Sequence, residues 1–324
     1  MRNWSRAVAV LALAACAAVA SAQDAYPNKP IRLILGFAPG GISDVLGRAL
    51  AVSLSRNIGQ QVIVENRPGA GGSLAAGYMK SQTPDGYTIW LQDMTSHAIN
   101  QSLYTSLPYH PINDFTPITL VAFSPLMLAT HPSQPTKNVK ELIEYLKANK
   151  DRRTYASAGN GTPNHLAAEL LKNLAGLTDL VHVPYKGSSP TLVALLSNEV
   201  AFSFLSMPPA VSNVKSGKLR GLAVTSTKRV GAAPDVPTMI ESGVPNFEIV
   251  VYTGILGPAG LPAPIVAKLN SEFAKAVADE QTKTVYANIG AEGITNTPQA
   301  FRAMMEADIA KYAPMVKASG ARID

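Results

Sequence analysis

The chain has 324 residues, 47% of them hydrophobic and 15% charged, which excludes a disordered chain and supplies enough apolar side chains for one large core or two smaller ones. Its formal charge of +6 is a mild bias toward anions. The basic residues are scattered apart from Arg152-Arg153 and Lys228-Arg229, so no stripe tracks a nucleic-acid backbone, and nucleic acid is not an expected partner.

At the start of the chain, Arg2 and Arg6 precede an apolar run from Ala7 to Val19 and then Ser21-Ala22. This is the charged, apolar, small-residue order of a secretory signal, expected over residues 1–22 with the mature chain beginning at Gln23. The run is shorter than the roughly 20 residues needed to cross a bilayer, which disfavours the rival reading of a membrane anchor. Cys16, the one cysteine, lies in Leu13-Ala14-Ala15-Cys16, a sequence that also looks like a lipoprotein processing site. Ala20-Ser21-Ala22 supplies an ordinary cleavage site, so Cys16 reads as a small residue of the signal core. Cleavage there leaves no thiol and removes a thiol enzyme from consideration.

Beyond the signal, short branched-apolar runs alternate with stretches of helical spacing, the pattern of an α/β fold with mostly parallel strands. Ile31 to Leu35 reads as a buried strand, and Leu46, Leu50 and Leu54 mark one face of the helix that follows. Val62 to Glu65 and Thr88 to Gln92 read as strands, with a helix from Ser73 to Gln82 between them. Asn138 and Glu141 have capping-box spacing ahead of a helix whose inner face is Leu142, Ile143 and Leu146. Strands are expected at Thr154 to Ser157, His182 to Pro184 and Val200 to Leu205, with helices at Pro163 to Leu174 and Pro190 to Ser197. Thr225 to Phe247, broken by three prolines, reads as a long loop. Helices over Pro264 to Glu280 and Pro298 to Ser319 close the chain. A mature chain of this length exceeds one ordinary core, so two lobes are expected.

Three Gly-rich turns join a strand to a helix, where backbone N–H groups converge on an anion. The first is Phe37-Ala38-Pro39-Gly40-Gly41-Ile42-Ser43-Asp44, in which Ser43 or Asp44 can cap the helix. The second is Asn66-Arg67-Pro68-Gly69-Ala70-Gly71-Gly72-Ser73. Its Gly69-x-Gly71, with Asp93 about 20 residues on, imitates part of a dinucleotide fingerprint, but Leu74 stands where the third glycine belongs. The third is Ser157-Ala158-Gly159-Asn160-Gly161-Thr162-Pro163, with Thr162 at the cap, Pro163 in the first helical turn and His165 just inside. His165 can donate to a bound carboxylate or merely cap the helix. Each of these turns can equally be a capped bend without a ligand. A charge-assisted hydrogen bond contributes roughly 1.5–3 kcal/mol and a helix terminus up to about 2. Three or four such donors therefore approach the roughly 8 kcal/mol of a micromolar complex without any salt bridge.

Catalytic patterns are missing by comparison. His97, His110, His131, His165 and His182 are isolated along the sequence, with no pair at metal-ligand spacing. There is no Gly-x-Ser-x-Gly elbow and no phosphate loop. The reading is a binding protein without cofactor or metal rather than an enzyme.

The residues that settle the class form an ordered series: Tyr26-Pro27-Asn28-Lys29-Pro30-Ile31-Arg32, Pro39-Gly40-Gly41, Val64-Glu65-Asn66-Arg67-Pro68-Gly69-Ala70-Gly71-Gly72, Pro84-Asp85-Gly86-Tyr87-Thr88, Ser157-Ala158-Gly159-Asn160-Gly161-Thr162, His182-Val183-Pro184-Tyr185-Lys186-Gly187 and Pro258-Ala259-Gly260. Over essentially the whole mature chain this resembles the Bug-type solute receptors of tripartite tricarboxylate transporters. The resemblance implies the two-lobed α/β fold of periplasmic binding proteins, with crossing hinge strands and a ligand cleft between the lobes. The first lobe would comprise residues 23–127 and 250–324, the second 128–249. It implies a periplasmic monomer that binds a small carboxylate and hands it to the membrane subunits of such a transporter. By position, the carboxylate would meet Pro39, Gly40, Gly41, Ile42, Ser43 and Asp44 of the first turn and Ser157, Ala158, Gly161, Thr162 and His165 of the third. Ala70 and Gly71 would wall the cleft, with Thr95, Ser96 and Ser206 opposite. Ala38-Pro39 stands where the family often has two prolines, Ser43-Asp44 replaces the usual Thr-Asp, and Tyr252 holds a place commonly taken by Trp. Dicarboxylates, tricarboxylates and aromatic carboxylates therefore all remain open. Two further readings are an exported sensor that presents the same ligand to a signalling partner, and an exported enzyme acting on a carboxylate.

Overall fold

The computed structural model describes residues 26–185 and 187–323. The expected export signal over residues 1–22, Cys16 included, lies outside the described residues. Among the described residues no helix is long and apolar enough to cross a membrane.

The chain opens with strand β1 (Ile31–Leu35), helix α1 (Ile42–Ile58), β2 (Val62–Asn66), α2 (Ser73–Lys80), β3 (Thr88–Asp93) and α3 (Met94–Leu103). The four-residue leucine spacing does what it predicts, since Leu46, Leu50 and Leu54 of α1 are fully buried. They pack with Leu33, Leu35 and Leu91 of the sheet, each buried side chain of this size contributing roughly 1.5–3 kcal/mol. The long strand β4 (Phe115–Thr130) leads to α4 (Val139–Ala148), β5 (Thr154–Ser157), α5 (Pro163–Ala175), β6 (Val181–Pro184), α6 (Ser188–Leu196), β7 (Phe202–Ser206), α7 (Met207–Lys215) and β8 (Arg220–Val224). Asn138 caps α4 as its spacing predicts, its side chain accepting the Glu141 amide at 2.8 Å. After the expected loop, β9 (Val250–Pro258) returns and is followed by α8 (Ala263–Ala278), α9 (Glu280–Asn288) and α10 (Pro298–Ser319).

Among the described residues all nine strands join one sheet in the order β2-β1-β3-β9-β4-β7-β5-β6, with β8 also on β4. The expectation of mostly parallel strands needs correction, because only the outer parts of the sheet are parallel. Every pairing made by β4 and β9 is antiparallel. The reason is topological: β4 carries the chain from one half of the sheet to the other, and β9 brings it back alongside.

From Phe115 to Pro125, β4 pairs with β9; from Leu126 onward it pairs with β7 on one side and β8 on the other. Its prolines, which cannot donate to a ladder, fall where pairing is interrupted. Pro117 adjoins a register shift and Pro125 precedes the change of partner. Buried Thr225 clasps this crossing point, accepting the Leu126 amide at 2.8 Å and donating to the Ile249 carbonyl at 2.5 Å. Helix α10 also spans both halves: Phe301 and Met305 pack with Trp90 and Leu256, whereas Tyr312 and Val316 pack with the core around Leu166, Phe202 and Phe204.

Candidate ligand-binding site

Parallel strands present their C-terminal ends to the turns that open helices, and an open α/β sheet binds ligands in the crevice outside those ends. The first turn follows β1. Pro39, Gly40 and Gly41 are exposed, Gly40 is left-handed at φ +81°, and a Cβ added there would meet nothing within 4 Å. Gly41 caps α1 without help from any side chain. Its carbonyl accepts the amides of Asp44 and Val45 at 3.1 Å, so the Ile42 and Ser43 amides are left open at the positive end of the helix.

Asp44 is buried and turned inward. It accepts the Gly40 amide at 3.0 Å and Asn66 Nδ2 at 3.0 Å, and pairs with Arg48 at 2.9 Å. Burial pulls its pKa upward, but Arg48, the Gly40 amide and Asn66 outweigh burial and hold the carboxyl below its ordinary range. Asp44 thus braces the turn, and Arg48 neutralises a charge that would otherwise repel an anion.

The second turn runs through four consecutive left-handed residues, Gly69, Ala70, Gly71 and Gly72. Two of its carbonyls are tied to α3 and the residue that follows it: Tyr104 Oη donates to the Ala70 carbonyl at 3.0 Å, and Asn100 Nδ2 to the Gly71 carbonyl at 3.2 Å. Only glycine fits at 72, where a Cβ would lie 2.4 Å from Gln92 Nε2. Gln92 is fully buried, wedged between Gly36 and Gly72, and its amide atoms have no hydrogen-bond partner among the described residues. Nothing in the sequence around Gln92 marks it as special. Asp93, the acid of the partial dinucleotide pattern, is engaged as the cap of α3, accepting the amide of Ser96 at 2.9 Å and its hydroxyl at 2.8 Å.

The third turn follows β5 and differs from the first. Gly161 is buried at φ +71°, with the place of a Cβ only 2.2 Å from Leu103 Cδ2 of α3. Its amide donates to His165 Nδ1 at 3.1 Å. Thr162 Oγ1 accepts the His165 amide and donates to the Gly159 carbonyl at 2.8 Å. The Thr162 amide is spent on the Gly159 carbonyl, and Pro163 has none. His165 therefore organises the loop from behind, with Nδ1 as an acceptor. Ser157 is buried, its hydroxyl bonded to the Gly159 carbonyl and to His182, while Ala158 is half-buried.

The expected far wall is also largely committed. Thr95 is fully buried and staples α3 to β9, donating to the Val250 carbonyl at 3.1 Å and accepting the Tyr252 amide at 3.3 Å. Ser96 is held by Asp93. Ser206 is half-buried at the start of α7 with no side-chain capping bond, and Pro208 and Pro209 strip two amides from that helix end.

The structure thus brings the first and second turns together through Gln92 and Asn66, and ties the second and third turns to α3 through Asn100, Tyr104 and Leu103. A cavity of about 280 Å³ adjoins the third turn, lined by Asn160, His165, Glu169, Lys172, His182 and Arg322 among others. Two histidines isolated in the sequence meet there: the rings of His165 and His182 stack at 4.0 Å. The reason is register, since β5–β6 pairing sets His182 opposite Tyr155, one strand away from the helix that carries His165.

An α/β sheet crossed by two adjacent strands, with helix-opening turns gathered at its strand ends, defines the architecture of extracytoplasmic solute-binding proteins. Comparison with known proteins narrows this. The profile of the tripartite tricarboxylate transporter family receptor matches residues 46–321, and the chain belongs to that family of solute receptors, which are binding proteins rather than enzymes. BugT of Bordetella pertussis is 35% identical over 326 residues, covering 99% of both chains. Among solved structures, the periplasmic binding protein BugD aligns with a TM-score of 0.83 at 35% identity, covering 92% of this chain and 99% of that one. An R. palustris protein solved with adipate gives 0.85 at 33%, covering 92% and 100%. A Rhodopseudomonas palustris protein with bound malate gives 0.80 at 30%, covering 90% and 100%.

Proposed function

We propose that this chain is a periplasmic receptor that binds a small aliphatic dicarboxylate and delivers it, as a monomer, to the membrane subunits of a tripartite tricarboxylate transporter. The ligand lies between a first lobe of residues 23–127 and 250–324 and a second of residues 128–249. The observation that carries the reading is the opening of α1: exposed glycines, unclaimed Ile42 and Ser43 amides, and an inward Asp44 neutralised by Arg48. One carboxylate binds there. The walls are Ala70 and Gly71, and the third turn contributes more shape than donors, because its amides are mostly spent within the loop. Adipate and malate on two relatives favour aliphatic diacids over aromatic ones.

Calorimetry on protein refolded free of carried-over ligand tests this, with adipate, malate, citrate and benzoate beside their neutral amides. At 100 times its dissociation constant a true ligand adds about 2.7 kcal/mol to stability. Diacids that bind while their diamides do not support the reading; a diamide that binds as well as its acid, or no heat from any acid, overturns it.

A further inference from the structure

His182-Val183-Pro184-Tyr185, part of the series that marks the family resemblance, has no role in the ligand contacts proposed above. In the fold, His182 Nε2 lies 2.6 Å from Ser157 Oγ, at the entry to the third turn, and its ring stacks on His165 at 4.0 Å with an interplanar angle of 10°. His165 in turn accepts the Gly161 amide. The two imidazoles therefore grip both ends of one loop. Tyr155 lies parallel to both rings and donates to Glu169 at 2.6 Å.

This arrangement needs neutral rings. Nδ1 of His165 must be bare to accept an N–H, and two imidazolium faces at this separation repel each other. The charged groups around the pair are Lys172 and Glu169 of α5 and Arg322 of the C-terminal segment. Glu169, the one anion among them, is already engaged by Tyr155 and by Lys172 at 3.3 Å. The cavity gives solvent protons a route to the rings. Burial pushes both histidines down to about 4; His165 adds to the effect on His182 and Lys172 to that on each, while Glu169 pulls His182 the other way.

We infer that His182 is a positioning residue for the third turn: with His165 it forms a neutral imidazole stack that fixes Ser157 to Gly161, and protonating the stack dismantles that turn. The consequence for ligand release rests on the proposed function; the device itself does not.

Nuclear magnetic resonance of the protein without ligand tests it between pH 7.5 and 3.5. The expected result is that His165 and His182 titrate near pH 4 and that the Gly161 amide resonance moves with the same midpoint. In His165→Asn, whose side-chain oxygen replaces Nδ1, the Gly161 amide stays bonded but no longer responds to acid, and the His182 midpoint rises. At neutral pH, His182→Ala lowers Gly161 exchange protection at least tenfold, whereas His182→Gln, which can still reach Ser157, restores most of it. Midpoints near 6.5 in both histidines, or a Gly161 amide indifferent to their titration, would overturn the inference. Should acid unfold the chain first, the His165→Asn/His182→Gln double variant must unfold at lower pH than the wild type, and an unchanged unfolding pH overturns it. Adipate binding at pH 7.5 is measured separately; its failure counts against the proposed ligand and leaves the titration unaffected.

Discussion

The first and third turns occupy equivalent places, each following a parallel strand and opening a helix, yet they use their backbone differently. The first is open: Gly40 has empty space around it and no side chain caps the start of α1. The third is closed, with Gly161 pressed on Leu103 and its amide held by His165. A glycine pattern at a strand end therefore specifies a bend, while the neighbouring side chains decide whether its donors stay free or are spent on the fold.

Acid should separate the two turns most sharply. Histidines held near 4 when folded protonate near 6.5 when unfolded, so their stabilisation is complete above about pH 6.5 and is lost as pH falls toward 4. A shift of that size corresponds to roughly 3 kcal/mol for one buried histidine. His97, pushed down to about 4 chiefly by burial, contributes in the same sense, and Asp93, pushed up to about 6 by burial, opposes them over the same range. Asp44, which braces the first turn, is depressed, so its contribution persists until the pH drops below the ordinary carboxylate range. Urea titrations at several pH values should show the main loss between pH 6.5 and 4, smaller in His165→Asn. A flat profile there would remove the third turn's distinguishing feature.

The next largest effect is steric. Gly161→Ala must hold a left-handed alanine and push Leu103 aside, an expected loss of about 3 kcal/mol in chemical denaturation. Gly40→Ala keeps only the conformational cost, about 1 kcal/mol. Leu103→Ala in the Gly161→Ala background should recover part of the loss, and equal costs at the two glycines would erase the comparison.

Smallest in stability is Gly41→Ser. The residue sits at φ −77°, and an added Cβ meets only the Ala38 carbonyl at 3.5 Å. Its hydroxyl can cap α1 and gain a few tenths of a kcal/mol, while claiming an amide that the proposed ligand would use. Melting should hold or rise slightly as adipate affinity falls; unchanged affinity would mean that the α1 amides are not the donors.

Much of the fold could be read from the sequence because local signals agreed with tertiary packing. The leucine spacing of α1, the Asn138 cap and the strand β5 each follow from periodicity or capping chemistry that burial reinforced. Strand β4 was not legible: it is apolar on both faces, carries Pro117 and Pro125, and owes its conformation to β9, more than a hundred residues away. The three turns were legible as bends. Their spent and unspent amides were not, because Asp44, His165 and Leu103 act through contacts that spacing does not encode. Thr95 and Ser96 show the same limit: the family resemblance implies a ligand wall there, and spacing does not encode that their hydroxyls also staple α3 to β9 and to Asp93. His165 and His182 are far apart in the chain and meet only through strand register.

The pairing of β4 with β9 sets the mechanics of any movement between the halves. Two ladder-bonded strands passing side by side resist shear and stretch but yield to twist, so they behave as a leaf spring rather than a loose pin. With α10 packed against both cores as well, any displacement of one half against the other would have to twist this strand pair and shift the helix together.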